Sequence, residues 1–185
     1  YAEARVVDQS QQVVIGTNGR ANVSETDTCG FGIRVLVDGH WGFASDSVHE
    51  KQTSTTVAKA ITLAKSMPKR SRTVTLSEAA AVQDEYETPC EQDPFTTSTS
   101  EKVDLVRSIT DTMLHAHDSV AKTEAKLDFR REILHLVTSE GTEIRQKIIR
   151  SGLAMGCVVE EDGQVFHRAY PSRHGDCGAG GYEII

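Results

Sequence analysis

The chain lacks any apolar run approaching the ~20 residues that cross a bilayer as a helix. Its first residues, Tyr1-Ala2-Glu3-Ala4-Arg5, lack the charged-then-apolar layout of a signal peptide. It also lacks an excess of positive charge. A formal net charge of −7 argues against a sequence-independent grip on phosphates, which needs many clustered Lys and Arg. The local basic run from Lys65 to Arg72, with Lys69 and Arg70 inside it, follows a predicted helix and complements that helix's negative end. Cysteine is sparse and scattered. Cys29, Cys90, Cys157 and Cys177 form no Cys-x-x-Cys pair, which excludes a zinc knuckle or a dithiol redox motif. Free thiols in a reducing cytoplasm are the better reading, and a Cys157–Cys177 bridge is the weaker one.

Motifs that would carry chemistry are missing too. His49-Glu50 is followed by Lys51, Gln52, Thr53 and Ser54, so no second histidine arrives one helical turn later to share a cation. His115 and His117 sit two apart at a predicted helix end, where i and i+2 do not share a face. The segment Gly175-Asp176-Cys177-Gly178-Ala179-Gly180-Gly181 has neither the Gly-Lys-Ser/Thr ending of a phosphate loop nor the third glycine of a dinucleotide fingerprint. It reads as a flexible connection into a following domain. No residue is assigned a catalytic, cofactor-binding or metal-binding role.

What is present is a β-hairpin. Residues 30–45 place an apolar run, the pair Asp38-Gly39 and a second apolar run in series, and Asp-Gly supplies the positive-φ residues of a two-residue turn. Val37 then pairs with His40, Leu36 with Trp41, Val35 with Gly42, Arg34 with Phe43 and Ile33 with Ala44. One face carries Ile33, Val35 and Val37, the other Leu36, Trp41 and Phe43 with Arg34. A ribbon apolar on both sides is expected inside a sheet, covered on both faces. Arg34 opposite Phe43 suggests a structural cation–π pair.

Around this hairpin the chain organises into two lobes. Strands are expected at Glu3–Gln9, Gln11–Thr17 and Ala21–Cys29, with a tight turn at Asn18-Gly19. From about Thr55 the period becomes helical, with Val57, Ala60, Ile61, Ala64 and Met67 on one face, until Pro68. Residues 84–99, rich in acids, threonine and proline, read as a connection between a first lobe (1–83) and a second (100–185). Ser98 with Glu101 has the form of a capping box ahead of a helix from about Thr99 to His115, with Val103, Val106, Ile109 or Thr110, and Met113 on its apolar side. Beyond it, strands are expected at Val120–Leu127, Arg131–Thr138, Glu143–Ile149 and Leu153–Glu160. Ser151-Gly152 separates the last two, and Asp162-Gly163 sets Val159 opposite Phe166 as a buried pair. The fold class is α+β: antiparallel sheets with packed helices. Arg131, Glu132, Arg145 and Lys147 interrupt the later strands as charge does near a sheet edge, and mark residues 129–149 as a partner or peptide surface.

The run Gly30-Phe31-Gly32-Ile33-Arg34-Val35-Leu36-Val37-Asp38-Gly39-His40-Trp41-Gly42-Phe43-Ala44-Ser45 resembles the N-terminal part of the TldD/PmbA family, modulators of DNA gyrase understood as zinc-dependent peptidases. Asp93-Pro94-Phe95, Thr138-Ser139-Glu140-Gly141-Thr142-Glu143-Ile144 and Gly180-Gly181-Tyr182-Glu183 occur in the family's order, and the likeness is closer to TldD than to PmbA. The resemblance implies that this chain is the N-terminal region of a longer polypeptide. Its zinc site, His-Glu-x-x-x-His with further ligands, lies in a C-terminal domain beyond Ile185. It also implies a second TldD- or PmbA-type subunit as partner, identical or different, and unfolded peptide as substrate, with no membrane and no direct nucleic-acid contact. On this reading the fragment is architectural: it contacts the partner subunit and helps admit substrate. The alternative is a non-enzymatic interaction module, or a metal-free PmbA-like partner subunit, acting as a modulator of DNA gyrase.

Overall fold

The computed structural model describes residues 1–47, 53–68 and 74–185. Eight strands and two helices follow one another as β1 (Ala2–Thr17), β2 (Arg20–Val37), β3 (His40–Ser47), α1 (Thr53–Ser66), β4 (Gln83–Glu87), α2 (Thr99–Leu114), β5 (Val120–Thr138), β6 (Glu143–Glu161), β7 (Gln164–Tyr170) and β8 (Asp176–Ala179), with a short 3-10 turn at Tyr182–Ile184. The fold is α+β. The sheet runs in the order β3-β2-β1-β5-β6-β4, and β7 and β8 also pair with β6. β3, β7 and β8 run antiparallel to their neighbours, whereas β4 lies parallel to β6.

The chain divides into two compact units, each assembled from three stretches: 1–9, 28–87 and 132–147 in the first, and 10–27, 88–131 and 148–185 in the second. Strands β1, β2, β5 and β6 each contribute to both. The segment 84–87, expected within a connection, instead belongs to β4 and pairs with Ile144–Lys147.

In the first unit the hairpin has the register expected from its sequence, Val37 opposite His40 through Gly30 opposite Ser47, about Asp38 (φ 50°) and Gly39 (φ 76°). Its burial differs from the expectation. Phe31, Ile33, Val35 and Ala44 are buried against Ala60 and Ala64 of α1. On the other face, however, Phe43 is 58% exposed and Leu36 and Trp41 are only half-buried. The hairpin also ends the sheet order rather than lying inside it. The reason is that a single helix covers it. Gly42 is where that helix seats: a Cβ there would stand 2.0 Å from the Ala60 carbonyl oxygen and 2.7 Å from the Ala64 amide nitrogen. Ala60 and Ala64 thus fulfil the expected helical stripe, while Met67 at its end is exposed.

The second unit repeats the device. α2 starts at Ser98, whose hydroxyl accepts from the Glu101 amide at 3.1 Å, and packs on β1 at Gly16, where a Cβ would meet the Val106 carbonyl oxygen at 2.9 Å. Val14, Val106, Ala125, Leu127 and Phe129 form the core. The buried face of α2 is Lys102, Val106 and Thr110, which shares Val106 and Thr110 with the expected stripe but takes Lys102 in place of Val103.

Several expected strand breaks are continuous backbone. β1, β2, β5 and β6 each run unbroken through them, and Ser151-Gly152 lies within β6, with the buried Ser151 hydroxyl donating to the Gly180 carbonyl at 3.1 Å. Gly175–Gly181, expected as a flexible connection, contains β8, which pairs Asp176–Ala179 with Arg150–Leu153. Val159 does stand opposite Phe166, but Phe166 is 39% exposed, so that pair is not buried. The charged strands are not at an edge either. β5 lies between β1 and β6, and β6 is flanked by β5 on one side and by β4, β8 and β7 in succession on the other. Their charge marks solvent-facing positions: Lys147 pairs with Glu87, and the Arg131 guanidinium lies 4.7 Å above the Phe95 ring.

Candidate functional site

The segments whose sequence is most distinctive come together within each unit. In the second unit, Asp93-Pro94-Phe95 meets Gly180-Gly181-Tyr182-Glu183. The Asp93 carboxylate accepts from the Phe95 amide at 2.8 Å, making a local Asx turn. The Tyr182 amide donates to the Gln92 carbonyl at 2.7 Å, and the Glu183 carboxylate accepts from the backbone amides of Gln92 (3.0 Å) and Gly181 (2.8 Å). The backbone amide of Glu183 itself, and after it those of Gln92, Gly181 and Glu91, hold this carboxyl below the usual carboxylate range. The Tyr182 ring lies 5.7 Å from that of Phe129.

Beneath this clasp lies Lys102, 1% exposed. Its ammonium donates to the Gln12 side-chain carbonyl and the Pro94 main-chain carbonyl and stands 4.8 Å from the Phe129 ring centroid. Gln12 in turn donates to Glu25 at 2.5 Å. Burial pushes the Lys102 pKa down, opposed by Glu25, Asp93 and Glu101. A buried cation with two carbonyl acceptors and an aromatic face ties α2, the Asp93 turn, β1 and β5 together. That arrangement positions backbone. Charge at position 102 hid it from a pattern of apolar residues, although 102, 106 and 110 share the i, i+4 spacing of one helix face.

In the first unit, Thr138–Ile144 ties β5 and β6 to their neighbours. Ser139 exchanges two bonds with Ala2, its amide donating to the Ala2 carbonyl at 2.8 Å and its hydroxyl oxygen accepting from the Ala2 amide at 3.0 Å. The Thr142 hydroxyl accepts from the Val82 amide at 3.2 Å. Glu3, 8% exposed, accepts from the Tyr1 hydroxyl at 2.7 Å and from Arg34 at 2.8 Å. Burial raises the Glu3 pKa, but the Tyr1 bond and Arg34 outweigh it, and the carboxyl is lowered overall. Arg34 stacks on Trp41, 4.6 Å from its centroid, and not on Phe43, its expected partner. The Tyr1 ring meets Trp41 edge-on at 5.9 Å.

Open concavities lie on the sheet faces. In the second unit one of about 740 Å³ is lined by Lys122, Glu124, Gly156, His167, Arg168 and Arg173, and another of about 470 Å³ by Lys126, Asp128, Arg130, Arg150, His174 and Asp176. Within them Lys122 pairs with Glu124, and both Lys126 and Arg130 with Asp128. In the first unit His135 and Glu143, 3.0 Å apart, line a third with Arg145 and Asp84.

Among the described residues no three His, Cys, Asp or Glu side chains converge on a metal position, so these residues do not fit a zinc ion. His49-Glu50 and Lys69–Arg72 lie outside the described residues. The His115 ring nitrogen is 2.8 Å from the Asp111 carbonyl and that of His117 accepts from the Ser119 amide, which places both as helix-end groups. None of the four cysteines is in a disulfide, Cys157 and Cys177 included. No described helix is long and apolar enough to cross a membrane.

Comparison with known proteins gives the arrangement its context. Residues 2–67 match the family domain described as PmbA/TldA metallopeptidase domain 1, and residues 92–184 match the PmbA/TldA metallopeptidase central domain. No curated protein sequence matches. The fold is similar to a crystal structure of a candidate modulator of DNA gyrase from Bacteroides thetaiotaomicron (TM-score 0.77, 12% identity, 97% of this chain and 41% of that one). It is also similar to another from Thermotoga maritima (0.70, 13%, 100% and 40%) and to TldE from Thermococcus kodakarensis (0.64, 15%, 96% and 39%). The chain thus spans about two fifths of the length of each of these structures. With both domains matched in order over most of its residues, this chain belongs to the PmbA/TldD metallopeptidase family.

Proposed function

We propose that this chain is the architectural part of a TldD-like, zinc-dependent peptidase subunit. It builds the subunit contact and borders the path by which unfolded peptide is admitted, while metal chemistry belongs to sequence beyond the two domains matched here. The observation that carries this reading is the pairing of two matched domains with a span of about two fifths of the solved relatives' length. The residues' own chemistry is consistent with it. The distinctive segments hold backbone through Lys102, Glu183 and Ser139.

Because both edges of β5 and most of those of β6 are paired, peptide cannot add as a strand along residues 129–149. Admission is assigned instead to the polar concave faces. The protein acts in the cytoplasm, with a second TldD- or PmbA-type subunit.

The test uses the longer protein that contains this chain. Peptidase activity against an unfolded peptide, lost on chelation and restored by zinc, supports the reading. Activity that survives complete metal removal, or no cleavage of any unfolded peptide by the zinc-loaded complex, refutes it.

A further inference from the structure

The central domain matched by residues 92–184 has its two ends tied together. At one end stands Gln92, at the other Gly181-Tyr182-Glu183. The Tyr182 amide donates to the Gln92 carbonyl at 2.7 Å, and the Glu183 carboxylate gives one oxygen to the Gln92 amide at 3.0 Å and the other to the Gly181 amide at 2.8 Å. Each oxygen thus serves a different segment of backbone. The approach is too close for a side chain at Gly181, where a Cβ would stand 2.3 Å from the Gln92 carbonyl oxygen and 2.4 Å from the Cys90 sulfur.

Burial does not account for Glu183. The core of this unit is closed by Tyr182, whose ring lies 5.7 Å from that of Phe129, and Gly180 is already held by its amide bond to the Ile149 carbonyl and by the Ser151 hydroxyl. The backbone is therefore fixed as far as Tyr182 without Glu183. Glu183 itself is exposed, and what its carboxylate adds is direction: with amides of two segments on its two oxygens, the backbone beyond Tyr182 cannot swing about that residue. The following turn closes on the same clasp, the Ile184 amide donating to the Gly181 carbonyl at 3.4 Å and the Ile185 amide to the Tyr182 carbonyl at 3.1 Å.

We propose that Glu183 is a positioning residue for peptide cleavage: through the Gln92 and Gly181 amides it fixes the direction in which the chain leaves the central domain, and so the register in which an admitted peptide meets the sequence that cleaves it. This deepens the function proposed above and rests on its assignment of cleavage to sequence beyond the two matched domains. The side chain suits the role. A carboxylate has two acceptor oxygens and no donor, so it satisfies two amides at once, whereas a glutamine of the same length has one acceptor and turns its own N–H groups on the second amide. Direction matters to rate, because a misplacement of about 1 Å between reacting groups can cost about a hundredfold. It matters far less to binding along the path.

The longer protein that contains this chain tests it, with Glu183→Gln and Gly181→Ala. Glu183→Gln should lower kcat about tenfold or more with KM changed less than about twofold, and should spread the cuts in one unfolded peptide onto bonds beside the preferred one. Its thermal midpoint and zinc content should stay those of the unsubstituted protein. Gly181→Ala wedges the same clasp apart from its other side and should spread the cuts in the same way. Hydrogen exchange gives a readout that needs no activity: in Glu183→Gln the amides of Gln92 and Gly181 should exchange faster, while those of Leu127 and Phe129 in the core do not. Unchanged kinetic constants and cut sites in Glu183→Gln overturn the proposal, and so does a loss of kcat accompanied by a lower thermal midpoint and faster exchange at Leu127 and Phe129, which would make Glu183 a stability residue. If the unsubstituted, zinc-loaded protein cleaves no peptide, the peptidase reading fails and the proposal falls with it. Cleavage that is indifferent to Glu183→Gln overturns the proposal alone.

Discussion

The ammonium of Lys102 stands 4.8 Å from the ring centre of Phe129, with the cation 1% exposed. Burial favours the neutral form, so the folded-state pKa lies below the ordinary 10.5. Between the lowered value and 10.5 the unfolded chain binds more protons than the folded one, and stability rises with pH across that window. Denaturant midpoints measured at increasing alkaline pH should rise in the native chain relative to Lys102→Met, which has no group to titrate there. Lys102→Ala should cost about 2–4 kcal/mol, because the Gln12 and Pro94 carbonyls lose their donor and a cavity opens.

Glu3 gives the opposite sign. Its folded pKa is lowered below 4.5 by Tyr1 and Arg34 against the pull of burial. Its contribution is fully present above 4.5 and is lost as pH falls through the folded value. The stability of the native chain should therefore drop more steeply on acidification than that of Glu3→Gln, as acid titrations of both followed by circular dichroism would show.

Gly42→Ala should destabilise by about 2–3 kcal/mol despite adding only a methyl group, because the obstacle is the helix backbone at Ala60 and Ala64 rather than a side chain that can rotate away. Thermal or denaturant unfolding measures this. An unchanged midpoint would mean that α1 is not seated on β3.

Gly39→Val and Gly163→Val place the same β-branched residue at nearly the same conformation, φ 76° and 74°. Gly39 closes the hairpin that carries the first core, whereas Gly163 closes onto β7, exposed along its whole length. The expected order is a loss of about 2 kcal/mol in the global midpoint for Gly39→Val and under about 1 kcal/mol for Gly163→Val, whose strain is relieved by local fraying.

Turn chemistry was the most legible feature of the sequence. Asn18-Gly19, Asp38-Gly39 and Asp162-Gly163 all hold positive φ, and the hairpin register follows residue by residue. Helix spans were legible for the same reason, since Ser98 and Pro68 act locally. Strand continuity was not. The expected breaks near Gln9, Cys29, Leu127 and Ile149 fall where a strand passes from one unit to the other. Each helix covers only part of a strand, so apolar alternation fades between cores while the backbone ladder continues. Lys102 and Glu3 escaped notice because a charged residue in a core is visible only once its partners are in place. The two faces of the hairpin misled because apolar side chains record what a face can bury, not what covers it.

The mutual bonds of Ala2 and Ser139 join residues 137 positions apart, and Lys147 reaches Glu87 across 60. A ribosome adding ~5–20 residues per second leaves the first strand without that neighbour for on the order of ten seconds after it emerges. β4 likewise waits for its parallel partner. Throughout that interval the growing chain exposes strand edges that only its later half can close. Until then those edges are open to pairing with other chains.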